Sequence, residues 1–318
     1  LLIRDDAYQP PRTKAGVMEL VEKEGVFAFV GGLGTGPCMA VKGYLADKKI
    51  PWIGPASGSS KLAKVPTRYL FSIYPQYETE ARLMVRHLLQ TEKKTKIGVI
   101  YLNDDYGKEG LEGARAELKA AGLAPVAEVS AEMSDQDLSS HVLKLKAAEA
   151  DAVLVWLMPK QAAITLGTAA KLGFKPTWVA SSALSDAPLM HKVTKGLWEG
   201  VLYASIMELP NSDHPLVVKY RKAYTDYALA YDSKEVWSLF FMAGFTFAEP
   251  FVEGLRRAGP DLDREKLVAA MESIKAWNGG IGHSITFGPN IRQGQTSIFI
   301  ARCEGGEGVR VTRWIDSE

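Results

Sequence analysis

KIGVIYLNDDYGKEG, residues 96–110, holds an apolar run, a polar turn and the start of a helix in close succession. The run at 96–102 is too short for an ordinary helix and rich in β-branched residues, so it reads as a buried strand. Asn103, Asp104, Asp105, Tyr106 and Gly107 form the turn that follows it, and residues 108–121 form an amphipathic helix. A strand, a donor-rich turn and a returning helix make the unit from which parallel sheets are built.

The same unit recurs in both directions along the chain. Downstream, strands at 125–129, 152–157, 177–180 and 200–205 alternate with helices at 137–148 and 160–172. Upstream, strands are expected at 1–4, 26–30, 50–53 and 69–74, with helices at 11–23, 37–48 and 78–90. Pro37 falls in the first turn of its helix, where its missing N–H costs nothing. An all-helical stretch follows at 215–227, 234–258 (interrupted near Pro250) and 264–274. The C-terminal part returns to period-two strands at 285–287, 297–303 and 309–314, with turn glycines at Gly305, Gly306 and Gly308. The expectation is an α/β protein with two doubly wound parallel-sheet lobes of similar layout.

Composition narrows the function classes. The 318 residues are 47% hydrophobic, enough for two domain cores, and carry a formal net charge of +1. That balance disfavours a nucleic-acid partner, which would call for a basic excess. The longest apolar stretch, 236–251, is too short to span a bilayer and is broken by Glu249 and Pro250, so it reads as a buried helix. The opening residues lack the basic and apolar regions of a secretory signal. The two cysteines, Cys38 and Cys303, read as buried small hydrophobes; their spacing leaves pairing open.

In an open parallel sheet, ligands bind beyond the carboxyl ends of the strands, so those ends hold the candidate residues. GGLGTG (31–36) and GPASGSS (54–60) terminate successive strands and bring backbone N–H groups and hydroxyls together. Gly34, Thr35, Ala56, Gly58 and Ser59 therefore form a candidate anion cradle, against the alternative of simple tight turns. Tyr106, Trp156 with Leu157, and Ser181 with Ser182 occupy equivalent strand ends downstream, where an aromatic ring would either stack on a solute or pack the rim. Enzyme readings find little. GLG at 32–34 continues to Pro37 where a dinucleotide fingerprint needs a third glycine, and Ser57 lacks the flanking glycines of a nucleophile elbow. The five histidines show no metal-ligand spacing, and neither a cofactor nor a metal is expected.

RDDAY (4–8), VGGLGT (30–35), GPASGSS (54–60), NDDYGK (103–108), LKLKAA (143–148), RAGPDL (257–262) and ITFGPN (285–290) with RQG (292–294) occur in an order that resembles the branched-chain amino-acid-binding family. These are the type I periplasmic receptors of ATP-driven importers, and the resemblance runs from Leu1 to Trp314. It implies two lobes, 1–75 with 208–289 and 76–207 with 290–318, joined by three crossovers near residues 74–76, 207–210 and 288–292. Ligand would be clamped between the lobes by hinge closure and passed unchanged to a membrane permease, in the periplasm or on the outer face of the cytoplasmic membrane, by a monomeric receptor. The family's carboxylate contacts correspond to Thr35, Ala56 and Gly58 or Ser59, its second-lobe aromatic to Tyr106, and its strand-end aromatic to Leu157 beside Trp156. The acid that pairs with the ligand's ammonium corresponds to Ser182, and a later aromatic to Glu235, Val236 or Trp237.

Two departures carry expectations of their own. A buried ammonium without a charge partner is costly, so a serine at position 182 points to a carboxylate ligand with an apolar or aromatic body and no α-amino group. Glu235 keeps an amino-acid ligand in play by offering a charge elsewhere. The family also begins with a further strand, loop and helix before the segment matching residues 1–4, so the first strand–helix unit of lobe 1 is expected to lie outside this sequence. A ligand sensor of the same fold and an enzyme on a doubly wound sheet are the competing readings.

Overall fold

Short apolar runs and the helices between them assemble into parallel sheets in the computed structural model, which describes residues 1–63 and 67–317. The chain divides into two units, Leu1–Gln76 with Ala243–Thr296, and Tyr77–Met242 with Ser297–Glu318.

The first unit opens with α1 (Pro10–Glu22), β1 (Phe29–Val30), α2 (Thr35–Asp47), β2 (Trp52–Ile53), the single-turn α3 (Ser60–Ala63) and β3 (Leu70–Phe71). Its three strands pair in parallel in the order β1-β2-β3, with Phe29 beside Trp52 and Ile53 beside Phe71. Cys38, Val41 and Leu45 on α2 interlock with Ile50, Trp52, Leu62 and Leu70 to form the core under this sheet. Gly54 ends β2 at φ +66°, and a Cβ there would lie 2.7 Å from the Phe247 carbonyl oxygen. Only glycine tolerates both the left-handed backbone and that approach.

The second unit runs through α4 (Tyr77–Gln90), β4 (Ile97–Leu102), α5 (Asp105–Ala120), β5 (Ala127–Ala131), α6 (Ser139–Ala147), β6 (Ala152–Trp156), α7 (Pro159–Lys171), β7 (Thr177–Ala180), α8 (Ala187–Val193), β8 (Leu202–Ser205) and α9 (Pro215–Tyr231). α10 (Leu239–Ala258) starts in this unit and continues in the first, followed there by α11 (Arg264–Glu272); β9 (Phe299–Glu304) and β10 (Glu307–Arg310) complete the second. Its seven-stranded sheet has the order β10-β9-β8-β7-β6-β4-β5, parallel from β5 to β8 and antiparallel at β9 and β10. All five residues of β6 are buried, as a strand covered by helices on both faces requires. The strand order reverses at β4, with β5 on one side and β6 on the other, so the β4 and β6 ends flank a topological switch point.

Several expectations change. Residues 1–4 form no strand: Leu1 and Ile3 are exposed, Arg4 instead pairs with Glu19 at 3.0 Å, and among the described residues β1 pairs with β2 alone. Residues 285–287 form only an isolated bridge, Ile285 to Trp277, because the Thr286 and Phe287 N–H groups turn to the Gly294 and Ile274 carbonyls. The apolar stretch at 236–251 lies largely in α10, which buries Leu239, Met242 and Phe247 and leaves Phe240 exposed. Residues 208–242 group with the second unit, since Arg221 and Trp237 both donate to the Pro210 carbonyl, at 2.6 and 3.0 Å. Residues 290–296 group with the first, where Gln293 bridges to Ser72. Cys38 and Cys303 are free, buried and in different units, and burial pushes their thiols up to about 12 and about 11. No helix among the described residues is long and apolar enough to cross a membrane.

Candidate functional site

Backbone pairing brings the two glycine-rich strand ends of the first unit side by side. Ala56 N–H donates to the Gly32 carbonyl at 2.7 Å, and Gly34 N–H donates to the Ala56 carbonyl at 3.1 Å. Gly34 immediately precedes α2 at φ +94°, so Thr35 begins the helix with its first-turn N–H groups directed out of the N-terminus. The buried Thr35 and Ser57 hydroxyls share a hydrogen bond of 2.9 Å, and Ser57 Oγ also accepts from Ser59 N–H at 3.2 Å. Gly34, Thr35, Ala56, Gly58 and Ser59 are thus gathered at one end of the sheet, with Ser57 as the link. A helix N-terminus beside a loop of hydroxyls is an arrangement suited to a carboxylate.

Tyr8 adds a residue that the strand-end search did not include. Asp6 Oδ1 accepts from Tyr8 N–H at 2.8 Å and Asp6 Oδ2 accepts from the Thr13 hydroxyl at 2.7 Å, which hold Tyr8 at φ +58°. Its ring then lies against Gly34, where a Cβ would come within 2.3 Å of it. The RDDAY motif was the available signal, but its position before a helix hid its reach to the next strand end.

In the second unit the switch point collects the other candidates. Asp104 caps α5 by accepting from Gly107 N–H at 2.9 Å, which sets Tyr106 in the first turn, behind the β4 end. The Tyr106 hydroxyl shares a 2.5 Å hydrogen bond with Ser181 Oγ and donates to the Leu157 carbonyl at 3.3 Å, tying the ends of β4, β6 and β7 together. Burial pushes its phenol well above the usual range. Its ring packs edge-on against Tyr77 at 5.0 Å and tilted against Trp156 at 6.2 Å. Trp156 is fully buried, and its Nε1 finds no hydrogen-bond partner among the described residues. Leu157 is equally buried.

Ser182 follows β7 directly, and its surroundings hold a carboxylate that strand-end reasoning missed. Glu80, on α4, accepts from Ser182 N–H at 2.7 Å with Oε1 and from the Ser182 hydroxyl at 2.6 Å with Oε2. The side chain is fully buried, and desolvation pushes its carboxyl up to about 7, against the lowering effect of both Ser182 hydrogen bonds. Glu235 lies elsewhere: it is exposed, and its carbonyl accepts from the Tyr224 hydroxyl at 2.6 Å. Trp237 packs with Tyr224 and Phe241 at centroid distances of 5.7 and 6.0 Å, and Val236 is exposed.

The raised Glu80 carboxyl predicts an acid-favoured fold. The native state holds this proton more tightly than the unfolded chain, so its contribution is complete below about 4.5 and is lost as pH rises through about 7. The shift corresponds to a loss on the order of 3 kcal/mol between those limits. Denaturant titrations at a series of pH values will show that component in the wild type, and Glu80→Gln will lack it; parallel profiles for the two proteins would contradict the assignment.

The described residues contain no cluster of three or more His, Cys, Asp or Glu side chains arranged to hold a metal ion. Residues 1–307 match a family model described as periplasmic binding protein. Leu/Ile/Val-binding protein homolog 8 of Brucella abortus is 23% identical across 98% of this chain and 79% of its own length. Among solved structures, a substrate-binding periplasmic protein from Ralstonia solanacearum is similar at a TM-score of 0.86 and 26% identity, over 97% of this chain and 87% of that one. A fatty acid ABC transporter substrate-binding protein from Thermomonospora curvata is similar at a TM-score of 0.86 and 25% identity, over 100% of this chain and 81% of that one.

Proposed function

The chain belongs to the periplasmic binding protein family, and on that premise we propose that it captures a small organic carboxylate with a branched aliphatic or aromatic body for an ATP-driven importer. It acts outside the cytoplasmic membrane, as a monomer, and delivers the solute unchanged to a membrane permease. The observation that carries the reading is the Thr35–Ser57 hydrogen bond, which fixes two hydroxyl- and N–H-rich strand ends next to the α2 N-terminus. Such a cradle satisfies a carboxylate without any cationic side chain. The ligand named for the Thermomonospora relative, a fatty acid, has a carboxyl head and an apolar body, and this supports the same chemical class.

An amino-acid ligand is the second reading, favoured by the name of the Brucella relative. In that case Glu80, through Ser182, is better placed than Glu235 to answer an ammonium group.

The cradle is tested by Thr35→Val, which keeps the shape and removes the hydroxyl. Calorimetric titration with isovalerate is expected to show binding weakened by about 1–3 kcal/mol, the cost of leaving a buried acceptor unpaired. Unchanged affinity would remove Thr35 from the carboxylate site.

A further inference from the structure

Right-handed crossovers from β5 to β6, β6 to β7 and β7 to β8 all advance the same way along the second sheet, so α6, α7 and α8 lie side by side on one face of it. The middle helix lacks a charged outer face. Its inner side buries Gln161, Ala162, Thr165, Leu166 and Ala169, while Ala163, Ile164, Gly167 and Thr168 stay half-buried on the outer one. No charged residue occurs between Lys160 and Lys171, although a helix facing water ordinarily carries charge on that face.

This outer face is the floor of a groove of about 960 Å³ inside the second unit, with walls from the start of α6 and the end of α8. Val193 and Leu197 line the α8 wall and are each 42% exposed, so apolar surface continues from the floor up one side. Gly167 follows Ala163 by one turn on the floor, and a Cβ on Gly167 would meet nothing within 4 Å. Small residues one turn apart let the axis of a second helix come close. None of the lining residues is among those assigned to the solute.

The charges around the groove select the kind of helix that fits it. Lys171 and Lys195 are exposed there, and neither ammonium makes a hydrogen bond or ion pair among the described residues. Asp137 is the only acid among the lining residues, and its carboxylate already accepts from Ser139 N–H at 2.8 Å. That hydrogen bonding, ahead of His141 and Lys171, holds the Asp137 carboxyl below its usual range. We propose that this groove docks an amphipathic helix of a partner protein, its apolar face laid along Ala163 and Gly167 and its acidic residues facing Lys171 and Lys195.

Fluorescence anisotropy on the full chain tests this with two labelled peptides of about 20 residues, long enough to hold a helix. One carries a leucine and alanine face opposite a glutamate face; the other has lysine at every glutamate position. Wild type is expected to bind the acidic peptide about tenfold more tightly than the basic one, and more weakly as salt is raised. The double variant Lys171→Glu/Lys195→Glu is expected to reverse that preference. Gly167→Leu places a large side chain on the floor where nothing obstructs it and favours the helix, so it is expected to lose about tenfold in binding with no fall in melting temperature. Equal binding of the two peptides, no binding of the acidic one, or unchanged affinity in Gly167→Leu would overturn the proposal. Sedimentation showing wild-type self-association that Gly167→Leu abolishes would overturn it in favour of a second copy. Capture of wild type by phosphatidylglycerol vesicles with no response to the acidic peptide would overturn it in favour of a lipid surface.

Discussion

Arg292→Ala is expected to destabilise the protein by about 3–5 kcal/mol, the loss that follows from removing one partner of a buried ion pair. Arg292 is 1% exposed and inside the first unit. Its guanidinium bonds Glu272 at 2.6 Å and donates to the carbonyls of Thr67, at 3.2 Å, Arg68, at 2.9 Å, and Gly288. It also lies 4.6 Å from the centre of the Phe71 ring. Removing the fork strands a largely buried Glu272 carboxylate and three carbonyls at once, so the cost exceeds that of an ordinary cavity. Lysine places one compact charge where a planar fork makes several bonds, so Arg292→Lys will recover only part of the loss. Urea unfolding measures both variants; an Arg292→Ala protein within 1 kcal/mol of the wild type, as a surface change would be, would contradict this assignment.

Arg292 also shows what a sequence displays and what it conceals. RQG at 292–294 is visible as a motif, but nothing in it reveals that the arginine reaches back to Thr67 and Arg68 and so ties β3 to the return of the chain. The strands of the second sheet were legible because helices cover both faces and each strand is a continuous apolar run, as in AVLVW at 152–156. Residues 1–3 are also an apolar run, but they pair with no strand among the described residues, and composition cannot supply a partner.

The candidate residues divide in the same way. Gly34, Thr35, Ala56 and Ser59 stood out because parallel sheets present their ligand loops at strand ends, and the backbone bonds joining those loops are local consequences of pairing β1 with β2. Glu80 was hidden because it sits one turn inside a helix, far in sequence from Ser182, and acquires its character only by burial against that serine. Ser57 was dismissed as a nucleophile and then proved to be the hydroxyl on which Thr35 rests. Glu235 stood out by charge and sequence position, and neither says which cluster a side chain joins.

The central claim concerns what the receptor holds, and a thermal-shift panel on the full mature protein tests it most directly. Each acid is paired with its α-amino counterpart, isovalerate with leucine and phenylpropionate with phenylalanine, and octanoate and benzoate are added. A ligand that binds only the native state stabilises it by mass action, by about 4 kcal/mol at a thousandfold excess over its dissociation constant. The cradle at Thr35 and Ser57 is built to answer a carboxylate. The account predicts that one or more of the acids lacking an amino group raise the melting temperature, while leucine and phenylalanine have little effect. Stabilisation by the amino acids, with no response to any of the acids, would contradict it.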